Sequence, residues 1–211
     1  MSARVEPTSC STSDGLTLEA ELARPDGPVR AATVLCHPHP QAGGTMRSIV
    51  IGALFDALPL AGAAVLRFNF RGVGESHGTH DDGRGERLDV IAAIERLDRE
   101  IDPSIPLLLA GWSFGGDLAL ATVVDRVAAW FAIAPPLRIV PDFSAVAADA
   151  RPKLVALADR DTVIDTPSVA ATVQAWTNTR VETVTGASHY FVGRTDPLVA
   201  LATAQIDTLT R

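Results

Sequence analysis

Hydrophobic and polar positions change their period several times along the chain. Leu16, Leu18, Ala20 and Leu22 alternate with polar or small residues, the period-two pattern of a half-buried strand. Ala31 to Cys36 (AATVLC) is continuously apolar, as in a strand covered on both faces. From Met46 to Leu60 the spacing turns helical, with Val50, Leu54, Phe55 and Leu58 on one side. A second buried-strand run follows at Ala63 to Phe70, then a helical one at Glu86 to Ile101 carrying Val90, Ile91, Ile94 and Leu97. Pro103 and Pro106 punctuate before a strand at Leu107 to Gly111, and further strands read at Ala128 to Ala134, Lys153 to Ala158 and Val181 to Thr185. Thr166 to Thr177 is a helix with Thr166 as N-cap and Pro167 in the first position. The last helix opens in the same way on Asp196 and Pro197, with Leu198, Leu201 and Leu209 turned inward.

Strands and helices that alternate over short loops predict an α/β fold: a mostly parallel sheet of about seven or eight strands with helices on both faces. The pattern shows no repeat and no linker, and 211 residues match one domain spanning 1–211. One long irregular stretch, Arg71 to Gly85 (RGVGESHGTHDDGRG), interrupts the alternation. A loop of that length in a compact domain is usually functional. Its Arg71, Glu75 and Ser76 are expected to brace it, and its His77 and His80 to be solvated. Glu86, Asp89 and Asp117 sit in first helical turns, where carboxylates offset the helix dipole.

Composition narrows the partners. A net charge of −7 repels phosphate backbones and anionic lipid, so neither nucleic acid nor a membrane surface is expected to be bound. The longest apolar run, Val127 to Leu137, contains two prolines and falls short of the roughly 20 residues of a membrane span. The start, MSARVEPTSC, lacks the apolar core of a secretory leader, and the expected location is cytoplasmic. Of two cysteines, Cys36 reads as a buried small hydrophobe.

The chemistry concentrates at Gly111-Trp112-Ser113-Phe114-Gly115, which closes a strand and opens a helix. A serine hydroxyl is a weak nucleophile and needs a base beside it. A strained strand-to-helix turn lifts such an oxygen clear of the sheet, and the flanking glycines avoid clashes with neighbouring elements. In the fold this element order implies, the acid and then the base follow the serine along the chain, and His189 is the histidine that lies beyond Ser113. The orienting acid must come from the loop after Ala158, where Asp159, Asp161 and Asp165 compete. Asp161 is preferred, because Asp159 leaves the strand directly and Ile164 can anchor the loop beyond Asp161. Two backbone N–H groups must meet the developing oxyanion. Phe114 supplies the first. In His37-Pro38-His39-Pro40-Gln41 the prolines have no N–H, which singles out His39, with Gln41 as fallback. The His-x-His pair lacks further ligands at zinc-site spacing, so no metal and no cofactor is expected. Trp112, Tyr190 and Phe191 flank the site and are candidate walls of an acyl pocket.

The blocks HPHPQAGGTM from His37, RFNFRGVGESHG from Arg67, GWSFGG from Gly111, ADRDTVI from Ala158 and GASHYFVGR from Gly186 together resemble the α/β-hydrolase superfamily. More narrowly, the sequence is similar to small lidless bacterial serine hydrolases, distant relatives of dienelactone hydrolases. The resemblance implies a Ser113–His189–Asp161 triad, in agreement with the spacing. Two positions depart from the pattern: Trp112 stands where a smaller aromatic is common, and Ala158 replaces a glycine. Caps in this fold enter after the strand that follows the nucleophile helix, and only Pro135 to Pro152 is there to supply one. A small-molecule acyl ester or thioester is therefore the expected substrate at an open site. An amidase or peptidase with the same triad, or a silent hydrolase-fold binding protein, are the alternatives; oligomeric state is not encoded.

Overall fold

A computed structural model describes residues 3–211; Met1 and Ser2, the first positions of the stretch read for a leader, lie outside them. Among the described residues, eight strands form one sheet in the order β1-β2-β4-β3-β5-β6-β7-β8. They are β1 (Arg4–Ser11), β2 (Thr17–Arg24), β3 (Ala31–Cys36), β4 (Ala63–Phe68), β5 (Leu107–Trp112), β6 (Val127–Ile133), β7 (Lys153–Ala158) and β8 (Thr179–Val184). β1 and β2 run antiparallel, and every pairing from β4 to β8 is parallel. Among the described residues, six α-helices accompany the sheet: α1 (Ile49–Ala57), α2 (Glu86–Asp98), α3 (Phe114–Ala121), α4 (Ser144–Ala148) and α5 (Thr166–Gln174) between strands, and α6 (Thr195–Leu209) after β8. α1 packs against α6, while α2 packs on α3 and α3 on α4, so that helices cover both faces.

The continuous apolar runs sit where their pattern requires. β3, β4, β5 and β7 are buried at every position, because helices close both sides of the central strands. β1 is the strand that hydrophobic patterning does not reveal. It is an edge strand with only Cys10 buried, and its polar positions and Pro7 suit a ladder that faces solvent on one side.

Helix limits differ from the sequence reading where a proline or a side chain intervenes. The helix expected over Met46–Leu60 spans Ile49–Ala57 and tightens into a 3₁₀ turn at Leu58–Ala61, which contains Pro59. The cap of α5 is Asp165, not Thr166: its carboxylate accepts the Ser168 N–H. α6 begins at Thr195, placing Asp196 inside its first turn rather than at the cap.

Parallel pairing brings the carboxyl ends of β3, β5, β7 and β8 to one edge of the sheet, the usual location of sites in such folds. Register makes this specific: Cys36 pairs with Gly111, Trp112 with Ile133, and Ala158 with Val184. Each chemistry-bearing loop starts one step beyond these pairs. Between β6 and β7, the place where a cap would enter, the chain forms only the five-residue α4.

Candidate active site

Ser113 sits between β5 and α3 with φ 55° and ψ −118°, a conformation that costs a non-glycine residue free energy and that tertiary packing must hold. Its N–H stays in the sheet by donating to Ile133 O over 2.8 Å, and its carbonyl accepts from Gly116 and Asp117 N–H as the helix begins. The flanking glycines leave no room for a side chain. A Cβ on Gly111 would lie 2.1 Å from Gly115 O, and one on Gly115 would lie 2.2 Å from Cys36 O. The turn is therefore wedged between the end of β3 and the first turn of α3.

The three residues expected to act together meet here. His189 Nε2 lies 3.0 Å from Ser113 Oγ, and His189 Nδ1 lies 2.8 Å from Asp161 Oδ2. An ionised carboxylate can only accept, so Nδ1 carries the proton and Nε2 presents its lone pair to the serine hydroxyl. The Asp161 carboxylate is fully buried, and its other oxygen accepts the N–H groups of Val163 (2.8 Å) and Ile164 (3.1 Å). One carboxylate thus shapes its own loop and orients the imidazole. Ile164 is buried, as an anchor for that loop should be. Asp159 is exposed and Asp165 is committed to capping α5. His189 is held from a further direction: the Trp112 indole Nε1–H donates to its carbonyl over 3.1 Å.

The loop after β3 folds back on itself, with the N–H groups of Ala42 and Gly44 both donating to His39 O. The two histidines of His-x-His do different things. His37 is buried; its Nδ1 lies 2.6 Å from Pro38 O and its Nε2 accepts the Phe70 N–H over 3.0 Å. Both ring nitrogens are used, and burial pushes its pKa down to about 4 against the pull of the Pro38 carbonyl. His39 instead lines the cleft, with Nδ1 accepting the Gln41 N–H. Burial and the neighbouring His80 lower its pKa. Among the described residues, the N–H groups of His39 and Phe114 donate to no acceptor in the protein.

These residues surround an open cleft of about 360 Å³. Its apolar walls include Ala42, Ile49, Phe114, Ile139, Val163 and Ile164, and Arg138 stands among the lining residues. Of the three aromatic residues expected at the wall, Trp112 and Tyr190 line it, Tyr190 at the rim with 57% of its surface exposed. Phe191 does not. The turn closed by Phe191 N–H donating to Ser188 O sends Tyr190 outward and buries Phe191 completely in the core.

Among solved structures the fold matches an α/β serine hydrolase homologue from Coxiella burnetii, 33% identical, with a TM-score of 0.85 and coverage of 95% of this chain and 96% of that one. The chain belongs to the α/β-hydrolase superfamily. A serine hydrolase from Xanthomonas campestris described as lacking a lid matches with a TM-score of 0.87 at 28% identity, covering 98% and 95% of the two chains. An uncharacterized protein of Rickettsia prowazekii is 31% identical over 189 residues, 85% of this chain and 79% of that protein. No protein-family model matches the chain.

Two features of this α/β-hydrolase escaped the sequence. Asp117 sits in the first turn of α3 as read, and its carboxylate also clamps a loop. Its buried carboxylate accepts from Leu137 (2.9 Å), Arg138 (2.9 Å) and Ile139 (3.0 Å), holding Leu137 at φ 52° and carrying Arg138 and Ile139 to the cleft. Burial raises the Asp117 pKa to about 6, against those three donors. His80, expected in solvent, packs against the back of the site; only its loop's length and glycine content signalled a role. Elsewhere the glycine-rich loop is braced through Arg71 and Ser76 as expected, whereas the Glu75 side chain is exposed and only its backbone N–H is bound, by the Glu19 carboxylate. The Arg71 guanidinium binds Asp89 and Asp14, and Ser76 Oγ donates to Asn69 O while accepting the Glu19 N–H. Asp89 is thus an internal partner of Arg71 as well as a residue of the first turn of α2.

Proposed function

We propose that this protein is a serine hydrolase that cleaves small acyl esters through an acyl-enzyme. One observation carries the reading: Ser113 Oγ, His189 Nε2, His189 Nδ1 and Asp161 Oδ2 lie in unbroken hydrogen-bond reach, 3.0 Å and 2.8 Å at the two links. Ser113 Oγ attacks the ester carbonyl carbon while its proton passes to His189 Nε2. The carbonyl oxygen becomes an oxyanion received by the N–H groups of Phe114 and His39. The tetrahedral adduct then collapses, and the leaving alkoxide takes the proton from His189. Water enters, gives a proton to His189 and attacks the acyl carbon; the second tetrahedral adduct collapses, the bond from the acyl carbon to Ser113 Oγ breaks, and Oγ takes the proton back from His189 as the acid leaves. Asp161 holds the His189 tautomer and stabilises the imidazolium that forms in each half-reaction.

The open, largely apolar cleft supports a small ester over a folded peptide, since α4 offers too little chain to enclose or select one. A fluorophosphonate probe tests the reading. The wild-type protein is expected to be labelled at Ser113, and Ser113→Ala to lose the label and about 10⁶-fold in kcat on 4-nitrophenyl esters. A wild-type protein that resists labelling, or an alanine variant with near-normal turnover, overturns it. Faster cleavage of aminoacyl anilides than of nitrophenyl esters would replace ester by amide as the substrate.

A further inference from the structure

The glycine-rich loop between Phe70 and α2 delivers His80 behind the two candidate oxyanion donors. The His80 ring centroid lies 5.1 Å from that of His39 and 5.6 Å from that of Phe114, and the latter two are 5.0 Å apart. The rings form a closed triangle. Two corners belong to the residues whose backbone N–H groups are assigned to the oxyanion, and these come from separate segments, the loop after β3 and the start of α3. The third corner is fixed from outside the site. His80 Nδ1 sits 2.7 Å from Glu86 Oε1, close but off the line of a well-aligned hydrogen bond. The Glu86 carboxylate is itself fully buried and accepts the N–H groups of Asp81 (2.8 Å) and Gly83 (2.9 Å). His80 Nε2 lies 3.5 Å from Asp82 Oδ1. Phe70 meets Phe114 edge-on at 5.4 Å on another side.

Oxyanion donors work by being aimed before the charge develops, within about 2.7–3.1 Å of the position the oxygen will occupy. The backbones of the two segments already meet where Gly115 approaches Cys36 O and His37 O, and a rigid ring in contact with both donor side chains adds a second constraint on how the two residues sit. We propose that the His80 ring, packed against the His39 and Phe114 side chains, is a positioning element that helps to space the His39 and Phe114 N–H groups for the transition state. The inference rests on the acyl-transfer reading above. It gives the long loop a role, which is to carry one ring, by way of a buried carboxylate, to the rear of the oxyanion site.

The test compares wild-type protein with His80→Ala, His80→Gln and His80→Phe. The probes are 4-nitrophenyl acetate and phenyl trifluoromethyl ketone, whose carbonyl oxygen becomes an oxyanion when Ser113 adds to it. His80→Ala is expected to lower kcat and weaken the ketone in parallel by roughly tenfold, less than the ~10²–10³ of losing a donor outright, with KM within about twofold. His80→Gln, which keeps a polar head for Glu86 but no ring, should match it and serves if the alanine variant fails to fold. His80→Phe, which restores the ring, should recover most of the loss. Variants that shift Tm while leaving kcat and ketone affinity unchanged would overturn the inference, as would a phenylalanine variant that recovers nothing. A wild-type protein that neither turns over the ester nor binds the ketone overturns the acyl-transfer reading, and this inference with it. Full wild-type activity retained by the ring-less variants overturns the inference alone.

Discussion

Trp112 and His189 are joined by a hydrogen bond from the indole Nε1 to the His189 carbonyl, 3.1 Å long and buried, between residues 77 apart in sequence. Trp112 immediately precedes Ser113, so the bond ties the elbow to the histidine loop without using the Ser113–His189 contact itself. Removing the donor while keeping an aromatic ring leaves a buried carbonyl unpaired, at a cost of about 1–3 kcal/mol. Trp112→Phe should therefore slow acylation on the order of tenfold. Stopped-flow measurement of the nitrophenolate burst checks this, and an unchanged burst rate would mean that the loop's other contacts hold His189.

Asp161 and Asp159 lie two residues apart and should differ sharply. Asp161→Asn presents an amide to His189 Nδ1 and favours the wrong tautomer, an exchange that cost about 10⁴ in kcat in the serine protease where it was measured. Asp159 is exposed, and Asp159→Asn should leave kcat within about twofold. Steady-state rates on one nitrophenyl ester compare them; greater damage from the Asp159 change would reassign the acid.

Gly115→Ala should be among the most damaging small substitutions in the chain. The added Cβ meets Cys36 O at 2.2 Å and His37 O at 2.5 Å, and backbone atoms cannot swing aside as a side chain can. A loss of about 3 kcal/mol or more is expected, read as a lowered urea midpoint. A midpoint equal to wild type would mean that α3 can retreat from β3.

Burial holds the His37 pKa at about 4, below its ordinary 6.5. The native state then binds fewer protons than the unfolded state between these values, so the His37 contribution is present above about pH 6.5 and lost as pH falls through 4. Asp117 acts in the opposite sense, because its folded value of about 6 lies above 3.8; its contribution grows as pH falls below 6. Comparison with His37→Gln isolates the histidine. The stability gap between wild type and His37→Gln should narrow by up to about 3 kcal/mol between pH 7 and pH 4. Urea titrations at both pH values measure it, and a constant gap would show that His37 charges without penalty.

Much of this architecture was legible because its signals are local. A short apolar run such as Ala31–Cys36 or Leu154–Ala158, bounded by turn residues, reads as a strand covered on both faces, and the structure places strands at Ala31–Cys36 and Lys153–Ala158. The glycines around Ser113 announced a turn too tight for a side chain, and the Cβ positions at Gly111 and Gly115 bear that out. The shortness of the stretch from Pro135 to Pro152 already left no chain for a cap. The edge strand β1 stayed hidden because an exposed ladder imposes almost no hydrophobic period.

The order of residues by itself determined the α/β alternation, the strained elbow and which segments hold the candidate site residues, since each depends on the backbone preferences and burial of a few consecutive residues. Tertiary structure alone decided the strand order, the inward turn of Phe191, the clamp from Asp117 onto Leu137–Ile139, and the seating of His80 between His39, Phe114 and Glu86. Those outcomes depend on which distant segment arrives alongside. Hydrogen bonds and ring contacts between residues dozens of positions apart leave no periodic trace in the chain that makes them.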